Sequence, residues 1–154
     1  MIASLKTATK AFASVAAAAA LVLSVTTSAS ANGGVQWRHD VSGKCLAQDF
    51  YDTDVWLGTC DAGEAKWYEY ANNDGTWLMQ DYYTKKWCLT GYGDDVYIEK
   101  CTGNDWQRWS ENWTGSAWKL KNKATGGFLD SNGGNGPANV YLHGENDGRY
   151  QLWH

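Results

Sequence analysis

Val55-Trp56-Leu57-Gly58-Thr59-Cys60, Val96-Tyr97-Ile98-Glu99-Lys100-Cys101 and Val140-Tyr141-Leu142-His143-Gly144-Glu145 align without a gap. In each stretch the aliphatic residues recur at period two, the pattern of a half-buried strand. Val55/Leu57, Val96/Ile98 and Val140/Leu142 are predicted to point inward, and Trp56, Tyr97 and Tyr141 outward. The flanks align as well. Lys44-Cys45-Leu46, Trp87-Cys88-Leu89 and Gly127-Phe128-Leu129 lie upstream; Ala65-Lys66-Trp67, Gln107-Arg108-Trp109 and Gln151-Leu152-Trp153 lie downstream. The closing tryptophans are 42 and 44 positions apart. A period of this length marks a chain built from repeated structural units. The three units run over about residues 35–75, 76–116 and 117–154.

Turn chemistry separates the strands: Asn72-Asn73-Asp74-Gly75, Gly91-Tyr92-Gly93-Asp94-Asp95, the run 131–136 and Asp147-Gly148. No segment sustains an apolar period of 3.6 residues. The expected class is all-β, with three similar units of about four strands each. Cys45 and Cys60 of unit one match Cys88 and Cys101 of unit two; unit three has Phe128 and Glu145 there. Four cysteines allow three pairings, and the repeat favours bridges within each unit.

Residues 1–31 differ in character. Lys6 and Lys10 precede an apolar run from Ala16 to Leu23, and Ala29-Ser30-Ala31 has the form of a cleavage site. The run is too short for a bilayer span, which needs roughly 20 apolar residues. A secretory signal peptide is expected over 1–31, with a mature domain from 32 to 154, extracellular and without membrane insertion. Two disulfides suit that compartment. Cleavage would take the formal charge from −4 to −6. An acidic chain lacks the Lys/Arg excess that phosphate backbones require, so no nucleic-acid partner is expected.

Three repeats of about 40 residues, two of them closed by Q-x-W, resemble the ricin B-type lectin family. The resemblance covers residues 35–154 and implies a β-trefoil of three pseudo-symmetric four-stranded repeats. Unit one departs from it, with Ala65 in place of Gln. Unit three is similar to the actinohivin-like mannose-binding lectins. It carries Leu129-Asp130-Ser131-Asn132, then Asn139-Val140-Tyr141, then Asn146-Asp147-Gly148-Arg149-Tyr150-Gln151-Leu152-Trp153. That likeness implies a mannose-type pocket of Asp130, Tyr141, Asn146 and Tyr150, with His143 at its rim where the pattern has Leu.

These residue types suit a sugar. A carboxylate such as Asp130 accepts two hydroxyl protons, and Asn146 can both donate and accept. Tyr141 and Tyr150 offer rigid ring faces and hydroxyls. Each also has a plain structural reading: Asp130-Ser131-Asn132-Gly133 fits a turn, and Tyr150 fits the core beside Trp153. Units one and two hold Ala47 and Thr90 at the Asp130 position, so only unit three is complete. A single shallow site implies weak binding, with a Kd of roughly 0.1–1 mM.

Catalysis is not expected. There is no G-x-S-x-G elbow, and His39, His143 and His154 lack metal-ligand spacing. The cysteines lack C-x-x-C spacing, and the Asp130 segment fails as an EF-hand loop, so neither metal nor cofactor is expected. Asn112-Trp113-Thr114 matches a glycosylation sequon. The alternative function is a secreted protein-interaction or inhibitor trefoil with decayed sugar sites.

Overall fold

The computed structural model describes residues 32–49 and 51–154; the expected signal peptide lies outside the described residues. Eleven strands form: β1 (Gly33–Val35), β2 (Cys45–Gln48), β3 (Val55–Gly58), β4 (Trp67–Ala71), β5 (Trp77–Asp81), β6 (Trp87–Tyr92), β7 (Asp95–Lys100), β8 (Arg108–Trp113), β9 (Trp118–Asn122), β10 (Phe128–Ser131) and β11 (Val140–His143). Short 3-10 turns join some of them, and no α-helix occurs among the described residues.

Five strands make a ring by antiparallel pairing: β1 with β4, β4 with β5, β5 with β8, and β8 with β9. Trp153 closes it, bridging Trp118 on one side and His39 on the other. The fourth strand expected of unit three is thus reduced to these two bridges. The three remaining pairs, β2–β3, β6–β7 and β10–β11, are the hairpins of units one, two and three. Neighbouring hairpins touch where Asp54 bridges Tyr97 and where Tyr141 pairs with Asp95. A six-membered ring capped by three hairpins is the β-trefoil.

The period-two pattern sets the core. Val55, Leu57, Val96, Ile98, Val140 and Leu142 are all buried, while Trp56, Tyr97 and Tyr141 are half-buried on the outer face. The closing residues Trp67, Trp109 and Trp153 have no exposed surface. Burying an indole N–H without a partner is costly. Each is satisfied within its own unit: the Nε1 atoms donate to the carbonyls of Leu46 at 2.8 Å, Leu89 at 2.9 Å and Leu129 at 3.1 Å. The Trp and the Leu of each repeat are therefore one device, pinning the ring to the hairpin.

The disulfides pair Cys45 with Cys60 and Cys88 with Cys101, within units one and two. Unit three replaces the bridge by charge. Lys119 Nζ donates to the Asn146 carbonyl at 2.7 Å and lies 3.5 Å from Glu145 Oε1, and it sits 5.9 Å from the Phe128 ring centroid. Inward positions two residues beyond Trp67 and Trp109 hold Glu69 and Glu111. Burial, then the charge of Glu111, pushes the Glu69 carboxyl up to about 9; burial also raises Glu111.

Candidate functional site

The hairpin register positions the candidate residues. Asp130 faces Tyr141 across β10–β11, as Thr90 faces Tyr97 and Ala47 faces Trp56. One carboxylate among three equivalent positions is the main chemical difference between the units. Asp130 lies in a strand, not in the turn its sequence also fitted. The turn is made by its neighbours: Ser131 Oγ accepts from Gly133 N at 3.1 Å, and Asn132 Oδ1 from Gly134 N at 2.9 Å. Asp81 shows the contrast, since its carboxylate accepts from Thr84 N, Thr84 Oγ1, Lys86 N and Trp87 N. No backbone N–H among the described residues donates to the Asp130 carboxylate, and no Lys or Arg pairs with it. Asp130 stands opposite Tyr141 in the β10–β11 register. Burial, followed by the nearby Asp130 carboxylate, raises the Tyr141 pKa. The phenol therefore stays a donor at neutral pH.

Tyr150 comes from the 3-10 turn Arg149–Gln151, which packs on β10. It is 46% exposed, so it is not a core residue. One ring face lies near-parallel to His39, with centroids 6.2 Å apart and planes inclined by 21°. The turn is held by Gln151, the Gln of Q-x-W, which is fully buried. Its Oε1 accepts from Asn146 N at 3.2 Å and its Nε2 donates to the Gly144 carbonyl at 2.8 Å. Gln107 does the same for unit two, with Thr102 N and Gly103 N on its Oε1 and the Lys100 carbonyl on its Nε2. Ala65 has no polar atoms for this, so unit one lacks the support.

Asn146 and His143 are placed less directly. Asn146 Oδ1 accepts from Gly148 N at 2.8 Å and its Nδ2 donates to the Gly144 carbonyl at 3.5 Å, which leaves one amide N–H as its outward donor. His143 pairs with Phe128 at the far end of the hairpin, is exposed, and its Nδ1 bonds the Gly144 carbonyl at 3.0 Å. It shares the outward face with Tyr141, two residues along the strand.

His39 is the residue that sequence reasoning missed. It is fully buried against Trp153, ring centroids 5.1 Å apart. Nε2 lies 3.1 Å from the Tyr150 carbonyl, which only accepts, so Nε2 carries the proton. Nδ1 then accepts from Ser42 N at 3.4 Å and faces Ser42 Oγ at 3.0 Å. Burial lowers its pKa; the Tyr150 carbonyl and the charges of Asp130 and Asp40 oppose this in part. A neutral imidazole thus backs the site. The available signal was register: His39 stands opposite Trp153 as Asp81 stands opposite Trp67 and Asn122 opposite Trp109.

Among the described residues no group of three His, Cys, Asp or Glu side chains is arranged to hold a metal ion. What the arrangement offers is a buried carboxylate, two phenols and one exposed aromatic face on rigid supports. That is hydrogen-bonding and stacking chemistry.

Comparison with known proteins agrees with this architecture. No curated protein sequence matches the chain. The designed three-fold symmetric protein ThreeFoil superposes with a TM-score of 0.67 at 20% identity, over 78% of this chain and 95% of that one. SeviL, solved bound to asialo-GM1 saccharide, superposes with a TM-score of 0.65 at 17% identity, over 79% and 94%. A mosquitocidal holotoxin gives a TM-score of 0.72 at 16% identity over 79% of this chain, which spans only 17% of the toxin. The family model of the ricin-type β-trefoil lectin domain matches residues 33–153. This chain belongs to the ricin-type β-trefoil lectin domain family.

Proposed function

We propose that the protein is a secreted carbohydrate-binding lectin that takes mannose-type glycans through its third unit. The observation that carries this reading is Asp130. It is a buried carboxylate facing an outward tyrosine, released from turn-making and set beside an exposed aromatic ring. Asp130 accepts sugar hydroxyls, Tyr141 donates to one, and Tyr150 stacks on a C–H face. The Asn146 amide adds a donor, and His143 bounds the outer edge. The saccharide in SeviL supports a carbohydrate as the ligand class. Mannose rests on the likeness of unit three to mannose-binding lectins, and secretion on residues 1–31. No catalytic step is assigned. Affinity at one site is set near a Kd of roughly 0.1–1 mM.

A glycan array probed with wild type and Asp130→Ala tests this. Mannose-terminated glycans should be retained by the wild type and lost by the variant. Binding that survives Asp130→Ala would overturn the assignment to unit three. A folded wild type that retains no glycan would favour a protein partner instead.

A further inference from the structure

The outward face that carries Asp130 does not end at Tyr141. Strand β11 lies between β10 and β7, and both ladders meet at Tyr141, whose partners are Asp130 on one side and Asp95 on the other. Tyr97 stands likewise between Thr90 and Asp54. Between the two tyrosines the surface sinks into a cavity of about 550 Å³, walled by Tyr97, Tyr141 and Pro137 and rimmed by Asp54, Asp94 and Asp95. Such a volume falls in the range of small-molecule sites, about 300–1,000 Å³.

The cavity repeats the chemistry of the proposed Asp130 site, aromatic ring beside carboxylate, and Tyr141 belongs to both. No Lys or Arg among the described residues pairs with Asp54, Asp94 or Asp95. Their oxygens are open to hydroxyl donors. Tyr97 is half-buried, so part of its ring is presented to the space. A bare cation would use the carboxylates alone and leave the tyrosine walls without a role.

We infer that this cavity takes the second sugar of a glycan whose terminal residue occupies the Asp130 pocket. The ligand class is then an oligosaccharide, with Tyr141 as the shared wall and Asp95 and Tyr97 as specificity-determining residues. This rests on the function proposed above. Ring stacking on Tyr97 and hydroxyl donation to Asp95 would add contacts that a monosaccharide does not make.

Calorimetric titration with methyl α-mannoside and with α-1,2-linked mannobiose tests the inference. The wild type should prefer the mannobiose by about tenfold, the ratio that ~1.4 kcal/mol of added contact gives. Asp95→Ala and Tyr97→Ala should narrow that ratio, whereas Tyr150→Ala should weaken both sugars by the same factor. Asp95 is exposed, so its variant tests the cavity without a core change. Equal affinity of the wild type for both sugars, or a ratio unchanged in Asp95→Ala, overturns the inference and leaves the Asp130 site standing. A wild type that binds neither sugar overturns the site and the inference together.

Discussion

His39 Nε2 donates to the Tyr150 carbonyl at 3.1 Å, and Asn122 Nδ2 makes the matching bond to the Trp106 carbonyl at 2.7 Å. Both residues face the closing tryptophan of the preceding unit. Both also accept from their own turn: His39 from Ser42 N, and Asn122 Oδ1 from Ala124 N and Thr125 N. Each therefore ties one unit's strand to the previous unit's exposed aromatic. Asp81, at the third equivalent position, has no donor when ionised and serves only its own turn. An imidazole and an amide share this role because each has a donor and an acceptor on opposite sides.

His39→Asn should therefore be tolerated better than His39→Ala. The alanine variant strips the Tyr150 carbonyl of its partner and opens space beside Trp153. A lost buried hydrogen bond of this kind costs about 1–3 kcal/mol. Urea denaturation of both variants measures it. The same alanine change should weaken glycan binding, since it loosens the turn that carries Tyr150.

Protonation of His39 should destabilise the fold on the acid side. Its pKa is lowered in the folded state, so below about pH 6.5 the unfolded chain takes up a proton that the native state resists. Stability falls as pH drops from that value through the lowered folded pKa. In His39→Asn this acid-side loss should be absent from the denaturation midpoints.

Glu69 acts in the opposite sense. Its folded pKa of about 9 stands above the ordinary 4.5, so between those values the native state holds a proton that the unfolded chain has released. Stability then falls as pH rises through that window, by at most about 1.4 kcal/mol per pH unit. Glu69→Gln should flatten the slope between pH 5 and 9. Parallel profiles for variant and wild type would show that the Glu69–Glu111 pair does not hold this proton.

Reduction should discriminate between the units. Opening the Cys45–Cys60 loop is worth on the order of 3 kcal/mol in the chain-entropy model, and the Cys88–Cys101 loop is of similar length. Paired alanine substitutions, Cys45→Ala with Cys60→Ala and Cys88→Ala with Cys101→Ala, should each lower the urea midpoint. Lys119→Ala should be the counterpart in unit three, because it removes the cation shared by Glu145, Phe128 and the Asn146 carbonyl.

The hairpins were legible because alternation in β3, β7 and β11 coincides with burial on one face. The Q-x-W tryptophans were legible because only a recurring buried contact keeps such large side chains in register. Asp130 came from the likeness of unit three to mannose-binding lectins, and the hairpin register sets it opposite Tyr141. His39 was not legible as part of the site, since a histidine shows its tautomer only through its neighbours, and Tyr150 lies 111 residues away. The local role of Asn146 was hidden for a related reason: the turn that takes up its Oδ1 depends on Gly148 as much as on Asn146 itself. The missing strand at Trp153 escaped notice because a tryptophan marks the position in all three units, whether a ladder or a single bridge follows.

The bridges at Trp153 have a topological consequence. Arg38 N donates to the His154 carbonyl at 2.8 Å, and His154 N donates to the Arg38 carbonyl at 2.9 Å, so unit three is joined to unit one by bridging bonds and to unit two by the β8–β9 ladder. The three units form a cycle in space, and the order in which the polypeptide visits them is one of three possible cuts. A permuted gene that begins at unit two and ends with unit one would change a single junction and preserve every ladder. Which unit comes first is thus a property of the gene, while the units themselves differ in their disulfides, in the buried Gln that unit one lacks and in the strand that unit three reduces to two bridges.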